Sequence, residues 1–379
     1  MKMANVNKRG GRTLHAEIAG AGFAGLTAAI ALRQRGWSVT LHEKGPELRA
    51  FGAGIYLWHN GLRVLEGLGV LEDVLSGSHT PPTYETWRHN KSVSKETFNG
   101  LPWRIMTRRH LHEALANKAR AEGVEVRVNS EAVAADPAGK VTLASGEVRE
   151  ADLVVGADGV TSKVRDSIGF KQDRWISVDG LIRLIVPRKK KELGCGEWDN
   201  TIDMWNFWPR VQRILYSPCN DQELYLGLMA PAADERGSKV PIDLEYWLEM
   251  FPFLEPVLVE AAKLQSARYD RYETTKLDTW NKGKVALVGD AAHAMCPAIA
   301  QGAGCAMVNA YSLAMELAEI VEVEEALPSW EKRVRPITDL CQAISGEYAA
   351  NRSLSNGNMF TPRVLEIARY DPTRRVYSW

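Results

Sequence analysis

The sequence predicts an α/β protein in which a dinucleotide-binding unit is interleaved with a second, β-sheet unit and followed by C-terminal helices. Three observations carry that prediction. Residues 16–44 read as strand, Gly-rich turn, helix and strand. From Trp175 to about Pro231 the texture changes to β-prone runs, as expected of a separate sheet. Two further strand–turn–helix passages, 151–165 and 284–310, lie on either side of those runs.

The first element is the most informative. An apolar run from Ala16 to Ala19 meets Gly20-x-Gly22-x-x-Gly25, a helix follows from Leu26 to Arg35, and Gly36 stops it. Trp37 to His42 alternates as a second strand ending at Glu43. Gly20 permits the tight turn, Gly22 carries no Cβ to hold a pyrophosphate away, and Gly25 lets helix and strand approach. The helix N-terminus adds free N–H groups and a partial positive charge. Glu43 stands where a carboxylate accepts hydrogen bonds from the ribose of a bound ADP.

Composition bounds the rest. At 379 residues, two closely packed domains are expected. Lys plus Arg and Asp plus Glu both number 47, so no global field favours nucleic acid or an anionic membrane surface. Five cysteines without a CxxC pair argue for a reducing compartment and against a disulfide framework or a metal site. No apolar run reaches the length of a membrane span, and a soluble, cytoplasmic protein is expected. Residues 1–13 are basic and read as a disordered tail.

Between the motifs, residues 47–75 end in a helical pattern with Leu62, Leu65, Leu68 and Leu71 on the buried side. Pro81-Pro82 opens a strand-and-turn segment, and residues 105–136 give a helix and then a strand. Val141 to Val148 reads as one strand. Ile242 to Gln265 reads as a helix interrupted by Pro252 and Pro256, and a last helix is expected from Trp330 to about Asn351.

The GAGFAG turn with Glu43, the DG pair Asp158-Gly159 with Arg165 behind it, and the GD pair Gly289-Asp290 continuing as AAHAMCP occur in this order. Together they resemble the FAD-dependent aromatic hydroxylases of the para-hydroxybenzoate hydroxylase type, over nearly the whole chain. The strings AFGAGIYLWHNGLRVLEGLG, WDNTIDMWNFWPRVQRILYSPC and CPAIAQGAGCAMVNA narrow the resemblance to ring-opening oxygenases of hydroxypyridine carboxylates within that family. The family's usual GQGxN and acid are replaced here by Gln301-Gly302-Ala303-Gly304 with Asn309, a departure those oxygenases share.

The resemblance implies a GR-type Rossmann FAD-binding domain at 14–78, 104–174 and 276–325. A β-sheet substrate-binding domain would take 79–103 and 175–275, and a C-terminal helical segment 326–379. It implies non-covalent FAD and NADH as a transient reductant, since no second GxGxxG is present, with O₂ and a hydroxypyridine carboxylate as the other reactants. For the cofactor it implies Gly20, Gly22, Phe23, Ala24, Gly25, Glu43, Lys44 and Arg49, then Arg108, Val133, Asp158 and Gly159. Gly289, Asp290, Pro297, Gln301, Gly302, Ala303 and Gly304 complete that set.

For the substrate it implies Arg213 as a bidentate partner of the carboxylate, with Tyr56, Tyr84, Tyr225 and Pro297 in the pocket. Tyr84, Tyr225 and Tyr272 are the catalytic candidates, because a phenol packs on a ring while its hydroxyl bonds the ring's polar atoms. His293 reads as structural, and Trp205 and Trp208 as packing residues. A hydroxylase that leaves the ring closed, and an FAD-binding protein without oxygenase activity, remain alternatives at this point.

Overall fold

The computed structural model describes residues 8–9, 12–48, 53–98, 100–350 and 360–373. Two sheets carry the architecture. The first has six strands in the order Asn281–Lys282, Val285–Leu287, Leu153–Gly156, His15–Ala19, Ser38–His42 and Glu125–Arg127. All neighbours are parallel except the first pair. Each strand that ends at a motif therefore ends at the same edge, the usual location of a ligand on an open α/β sheet.

The Gly-rich turn is fixed by contact as much as by conformation. Gly20 has φ +96°, and a Cβ there would meet the Ala157 carbonyl oxygen at 2.4 Å. A Cβ on Gly25 would lie 1.9 Å from the Gly20 carbonyl oxygen. The helix that follows spans Phe23–Gln34, three residues earlier than the hydrophobic pattern suggested. The GFAG segment is its first turn, and the glycine inside it is retained for close packing. Glu17, within the apolar run, is buried beside His15 at 2.9 Å, His42 at 2.5 Å and Arg149 at 2.6 Å.

The second sheet has seven strands, in the order Tyr269–Leu277, Gln172–Pro187, Glu223–Pro231, Gln212–Pro218, Thr201–Asn206, Tyr84–Arg88 and Lys91–Glu96. Period-two alternation gives it two unlike faces. On one face Ile202, Met204, Ile214, Leu224, Leu226 and Leu228 pack against Trp247 and Leu258 from the helices Leu244–Leu248 and Glu255–Ala262, and against Phe251 between them. The register then places Asp203, Trp205, Arg213, Ser217 and Tyr225 on the other face. That face meets the small sheet of Gly54–Trp58 and Trp103–Thr107, where Tyr225 lies so close to Gly54 that a Cβ would sit 2.4 Å from its ring.

Several expectations need correction. The stretch 141–148 is a hairpin of Lys140–Leu143 and Val148–Glu150, turned at Gly146 with φ +88°. Leu71 opens a separate helix, because Gly69 ends the preceding one in the left-handed region. The last long helix starts at Val323. In the tail, Lys8–Arg9 pairs with Arg12–Thr13 and the Arg12 guanidinium binds Asp152 at 2.8 Å, so its end is ordered, in contrast to the disorder expected. Trp208 is 79% exposed and packs no core, whereas Trp205 is buried. Among the described residues no helix is long and apolar enough to cross a membrane.

Candidate active site

The parallel sheet and the polar face of the second sheet supply two adjoining sets of residues. In the first, Glu43 accepts from the Ala21 N–H at 3.2 Å and the Gly45 N–H at 2.8 Å, which fixes its carboxylate beside the Gly-rich turn. His112, which sequence reasoning missed, donates from Nε2 to the Ala21 carbonyl at 2.8 Å and braces the same turn. Burial lowers its pKa, so it is a neutral donor. Only its position on the helix Arg108–Ala121 hinted at this.

Arg108 opens that helix, with its guanidinium 4.9 Å over the Phe23 ring. Its backbone N–H donates to the Ala53 carbonyl at 2.8 Å, while among the described residues its side chain has no ion pair or hydrogen bond. Burial pulls its pKa down, and Arg183 adds to this while Asp290 opposes it. Asp290 is open to the cleft yet ringed by protein. Loss of bulk water raises its pKa, against the pull of Arg108 and Arg183. Arg109, one residue on, points away and pairs with Glu223 at 2.9 Å.

The Asp158 carboxylate accepts from Ser162 Oγ at 2.6 Å and from the Val164 N–H at 3.1 Å, so it holds its own turn. Arg165, fully buried, donates to the Ala291 carbonyl at 3.2 Å and thereby ties this turn to the short helix Asp290–His293. The DG pair thus braces the GD pair. His293 Nε2 accepts from Asn309 Nδ2 at 2.9 Å, and Asn309 also reaches Thr338 at 3.1 Å. Burial pushes the His293 pKa down to about 4, which supports its structural reading and gives Asn309 a task of its own.

Beyond Pro297, Ala300 adopts the left-handed region and Gln301 precedes the helix Gly302–Leu317, which has no side-chain cap. Gln301 Oε1 accepts from Asn60 at 2.9 Å, while its Nε2 is buried without a partner among the described residues. The helix Phe23–Gln34 also lacks a side-chain cap, and a Cβ on Gly22 would touch nothing within 4 Å. Two uncapped helix starts, an unpaired guanidinium and an orphaned amide are what a dinucleotide with an amide-rich ring would satisfy. The residues present therefore fit FAD. Gly289 ends the strand run at φ +62°, and Val133 sits at the bulge between Ala132 and Ala134. Lys44 is exposed, and Arg49 lies outside the described residues.

The second set centres on a buried ion pair. Arg213 donates to Asp203 from Nε at 2.5 Å and from Nη2 at 3.1 Å, and lies over the Trp205 ring at 5.0 Å. That pair uses the side-on edge of the guanidinium, Nε–H and one Nη2–H, and leaves the end-on edge, with N–H groups on both Nη1 and Nη2, for a second carboxylate. Tyr84 donates to Asp203 Oδ2 at 3.0 Å. Tyr56 and Ser217 share a short hydrogen bond, and the Tyr225 hydroxyl has no partner among the described residues. A register shift in Gln172–Pro187 sets Tyr272 against Trp205, Met229 and Cys296. Cys296 precedes Pro297, so the tyrosine set and the Pro297–Gly304 segment adjoin. Asp203, Ser217 and Arg183 were not singled out from sequence.

Residues 13–341 match the FAD binding domain family. A solved structure described as the tetrameric form of 2-methyl-3-hydroxypyridine-5-carboxylic acid oxygenase is 81% identical, with a TM-score of 0.95, covering 97% of this chain and 100% of that one. The 2-heptyl-3-hydroxy-4(1H)-quinolone synthase of Mycobacteroides abscessus is 36% identical over 87% of this chain and 88% of its own length. The 3-amino-4-hydroxybenzoate 2-monooxygenase of Streptomyces cremeus is 29% identical over 97% of this chain and 95% of its own.

Proposed function

The chain belongs to the FAD-binding-domain family and is a flavin-dependent monooxygenase; from that premise we propose that it oxygenates and opens the ring of 2-methyl-3-hydroxypyridine-5-carboxylate with NADH and O₂. The observation that carries the reading is the 81% identity to an oxygenase of that acid across the entire length of its chain. The polar sheet face supports it. Tyrosines, the outer guanidinium edge of Arg213 and aromatic walls suit a small planar ring bearing an anion and a hydroxyl.

Bound FAD would supply hydride acceptance and O₂ activation. Gly20, Gly22, Glu43 and Arg108 would hold its nucleotide part, and the starts of the helices Asp290–His293 and Gly302–Leu317 its ring system. The N–H groups at Gly302 and Ala303 would face the negative charge that reduction places on the ring. We assign the parallel sheet to the FAD-binding segments 14–78, 104–174 and 276–325. The seven-stranded sheet goes to the substrate-binding segments 79–103 and 175–275.

Tyr225 and Arg213 would orient the substrate, with Tyr56 and Tyr272 completing the walls. Phe360, 4.8 Å from the Tyr84 ring, helps keep bulk water out. An assembly of four copies, as in the solved relative, is part of the same proposal.

The test mixes FAD-loaded protein with NADH, O₂ and the pyridine acid and follows NADH together with the ring's ultraviolet absorbance. Loss of both in step is expected. NADH consumption with an intact ring would replace ring opening by simple hydroxylation or uncoupled oxidation. Absence of any substrate-stimulated NADH oxidation would remove the substrate assignment.

A further inference from the structure

The family match ends at residue 341, and the helix Pro362–Arg369 beyond it has no part in the reading above. At eight residues it is too short to persist in water and depends on what it packs against. Its Val364, Ile367 and Ala368 are buried, together with Phe360 just before it. These four belong to the same apolar cluster as Tyr84, Tyr225, Trp58 and Trp103. The Phe360 ring stands edge-on to Tyr84 and to Phe98, with centres 4.8 Å apart in both cases, and lies 5.3 Å from Trp58. It thereby joins the small sheet, at Trp58, to the seven-stranded sheet, at Tyr84, on the pocket side.

The polar holds on this segment come from one earlier helix, His59–Leu68. In its first turn, the buried Asn60 donates from Nδ2 to the Ile367 carbonyl at 3.4 Å and to Gln301 Oε1 at 2.9 Å. Asn60 therefore ties the C-terminal segment to the residue just before the helix Gly302–Leu317. One turn on, Arg63 donates from Nε to Asp371 at 3.2 Å and from Nη2 to Thr373 at 3.1 Å. Among the described residues its side-chain partners are these two and Glu66, none of them in the pocket. The Asp371 carboxylate also accepts from the Thr373 N–H at 3.0 Å, which fixes the turn that Arg63 grips.

We propose that residues 360–373 form the closing wall of the substrate pocket, and that Asn60 and Arg63 are positioning residues whose hold on this wall sets how much of the consumed NADH ends in oxygenated substrate. This rests on the flavin monooxygenase reading and deepens it. Such an enzyme has a wasteful route, in which NADH, a proton and O₂ give NAD⁺ and hydrogen peroxide while the substrate is left unchanged. Water admitted to the site favours that route. A wall made of apolar side chains excludes water only while it is seated. Its seating depends on Arg63, which touches neither substrate nor cofactor in this reading.

The test compares FAD-loaded wild type, Phe360→Ala and Arg63→Ala with NADH, O₂ and 2-methyl-3-hydroxypyridine-5-carboxylate. One readout is hydrogen peroxide formed per NADH consumed. The other, independent of turnover, is deuterium uptake by the helix Pro362–Arg369, followed by mass spectrometry. Loss of a partly exposed ion pair should raise the open fraction of the wall, so Arg63→Ala should take up deuterium about two- to fivefold faster in this helix. Peroxide per NADH should rise at least about twofold in Arg63→Ala and further in Phe360→Ala, as water reaches the site.

Arg63→Ala removes a contact at the outer side of the wall, so it answers the question even if Phe360→Ala does not fold. Faster exchange in Arg63→Ala with the peroxide ratio of the wild type would show that the wall does not guard the chemistry. Unchanged exchange would show that Arg63 does not seat it. Either result overturns the proposal and leaves the substrate reading intact. A wild type without substrate-stimulated NADH oxidation overturns the reading itself, and the role of the wall with it.

Discussion

Arg108 and Arg109 are adjacent in sequence and opposite in environment, and the difference is testable one residue at a time. Arg108 is enclosed over Phe23 without a direct ion pair among the described residues, whereas Arg109 is exposed and paired with Glu223. A charge-assisted hydrogen bond contributes about 1.5–3 kcal/mol, so Arg108→Ala should weaken FAD binding roughly ten- to a hundredfold. Arg109→Ala should change it by less than about twofold, because an exposed ion pair contributes little. Titration of apoprotein with FAD measures both. Equal losses would mean that Arg108 does not face the cofactor.

Gly20 gives a second residue-scale prediction. At φ +96°, with the Ala157 carbonyl 2.4 Å from the position of a Cβ, Gly20→Ala must move the turn away from its neighbouring strand. Left-handed strain alone costs of order 1–3 kcal/mol. The expected outcome is protein purified with less than half the flavin content of the wild type, read from its visible absorbance. Full flavin content would contradict the placement of the nucleotide at this turn.

At the scale of elements, the short helix Asp290–His293 is held by neighbours rather than by its own length. Arg165 reaches it from the DG turn, and His293 links it through Asn309 and Thr338 to the two long helices that follow. His293 is buried with its pKa lowered to about 4 from an ordinary 6.5, because burial penalises the charged form. Below pH 6.5 the unfolded chain therefore binds a proton that the folded chain refuses. Stability falls as the pH falls from 6.5 towards 4, by roughly 3 kcal/mol from this group. His293→Gln should be less stable than the wild type at pH 7, and the gap should narrow as the pH approaches 4. Urea unfolding at several pH values measures it; a gap independent of pH would show that His293 is not held neutral.

How much of this was legible in the sequence depends on the kind of signal. The Gly-rich turn is local, since its residues constrain one another within six positions, and it was read at Gly20, Gly22 and Gly25 directly. The β-rich texture after Trp175 was legible too, whereas the two-faced pattern in ELYLGLMA and NTIDMWNF became informative only once the register put Asp203 opposite Leu215 and Trp205 opposite Arg213. Arg213 was noticed for its chemistry, but its partner is ten residues away across a turn, and the sequence carries no mark of that pairing. The hairpin at 140–150 was missed because Gly146 turns a run whose hydrophobic pattern alone reads as continuous. His112 lay on a helix with no motif around it, and only tertiary contact gives it the Ala21 carbonyl.

At the scale of the whole molecule, neither sheet is built from one contiguous piece of chain. The parallel sheet takes strands from 15–42, 125–127, 153–156 and 281–287, and the other takes strands from 84–96 and 172–277. Side chains also bridge the later elements. Gln342 donates to the carbonyls of Thr275 and Ala294 at 2.8 and 2.9 Å, and Glu331 accepts from the Trp280 N–H at 2.8 Å. Unfolding one sheet would pull on the strand ends of the other, so the two should melt together. Circular dichroism and tryptophan fluorescence report on both sheets, since Trp37 and Trp280 lie in one core and Trp198 and Trp247 in the other.

Coincident thermal transitions by the two probes are expected in the apoprotein. FAD at a hundredfold excess over its dissociation constant should add about 2.7 kcal/mol, and both transitions should move upward together. The cofactor would touch chiefly the parallel sheet and the helices at its edge, so a biphasic melt in which only one phase rises would separate the sheets energetically. It would mean that the interleaved segments act as linkers between independent units. A joint rise means that cofactor binding also stiffens the sheet whose polar face carries Asp203, Arg213 and the tyrosines.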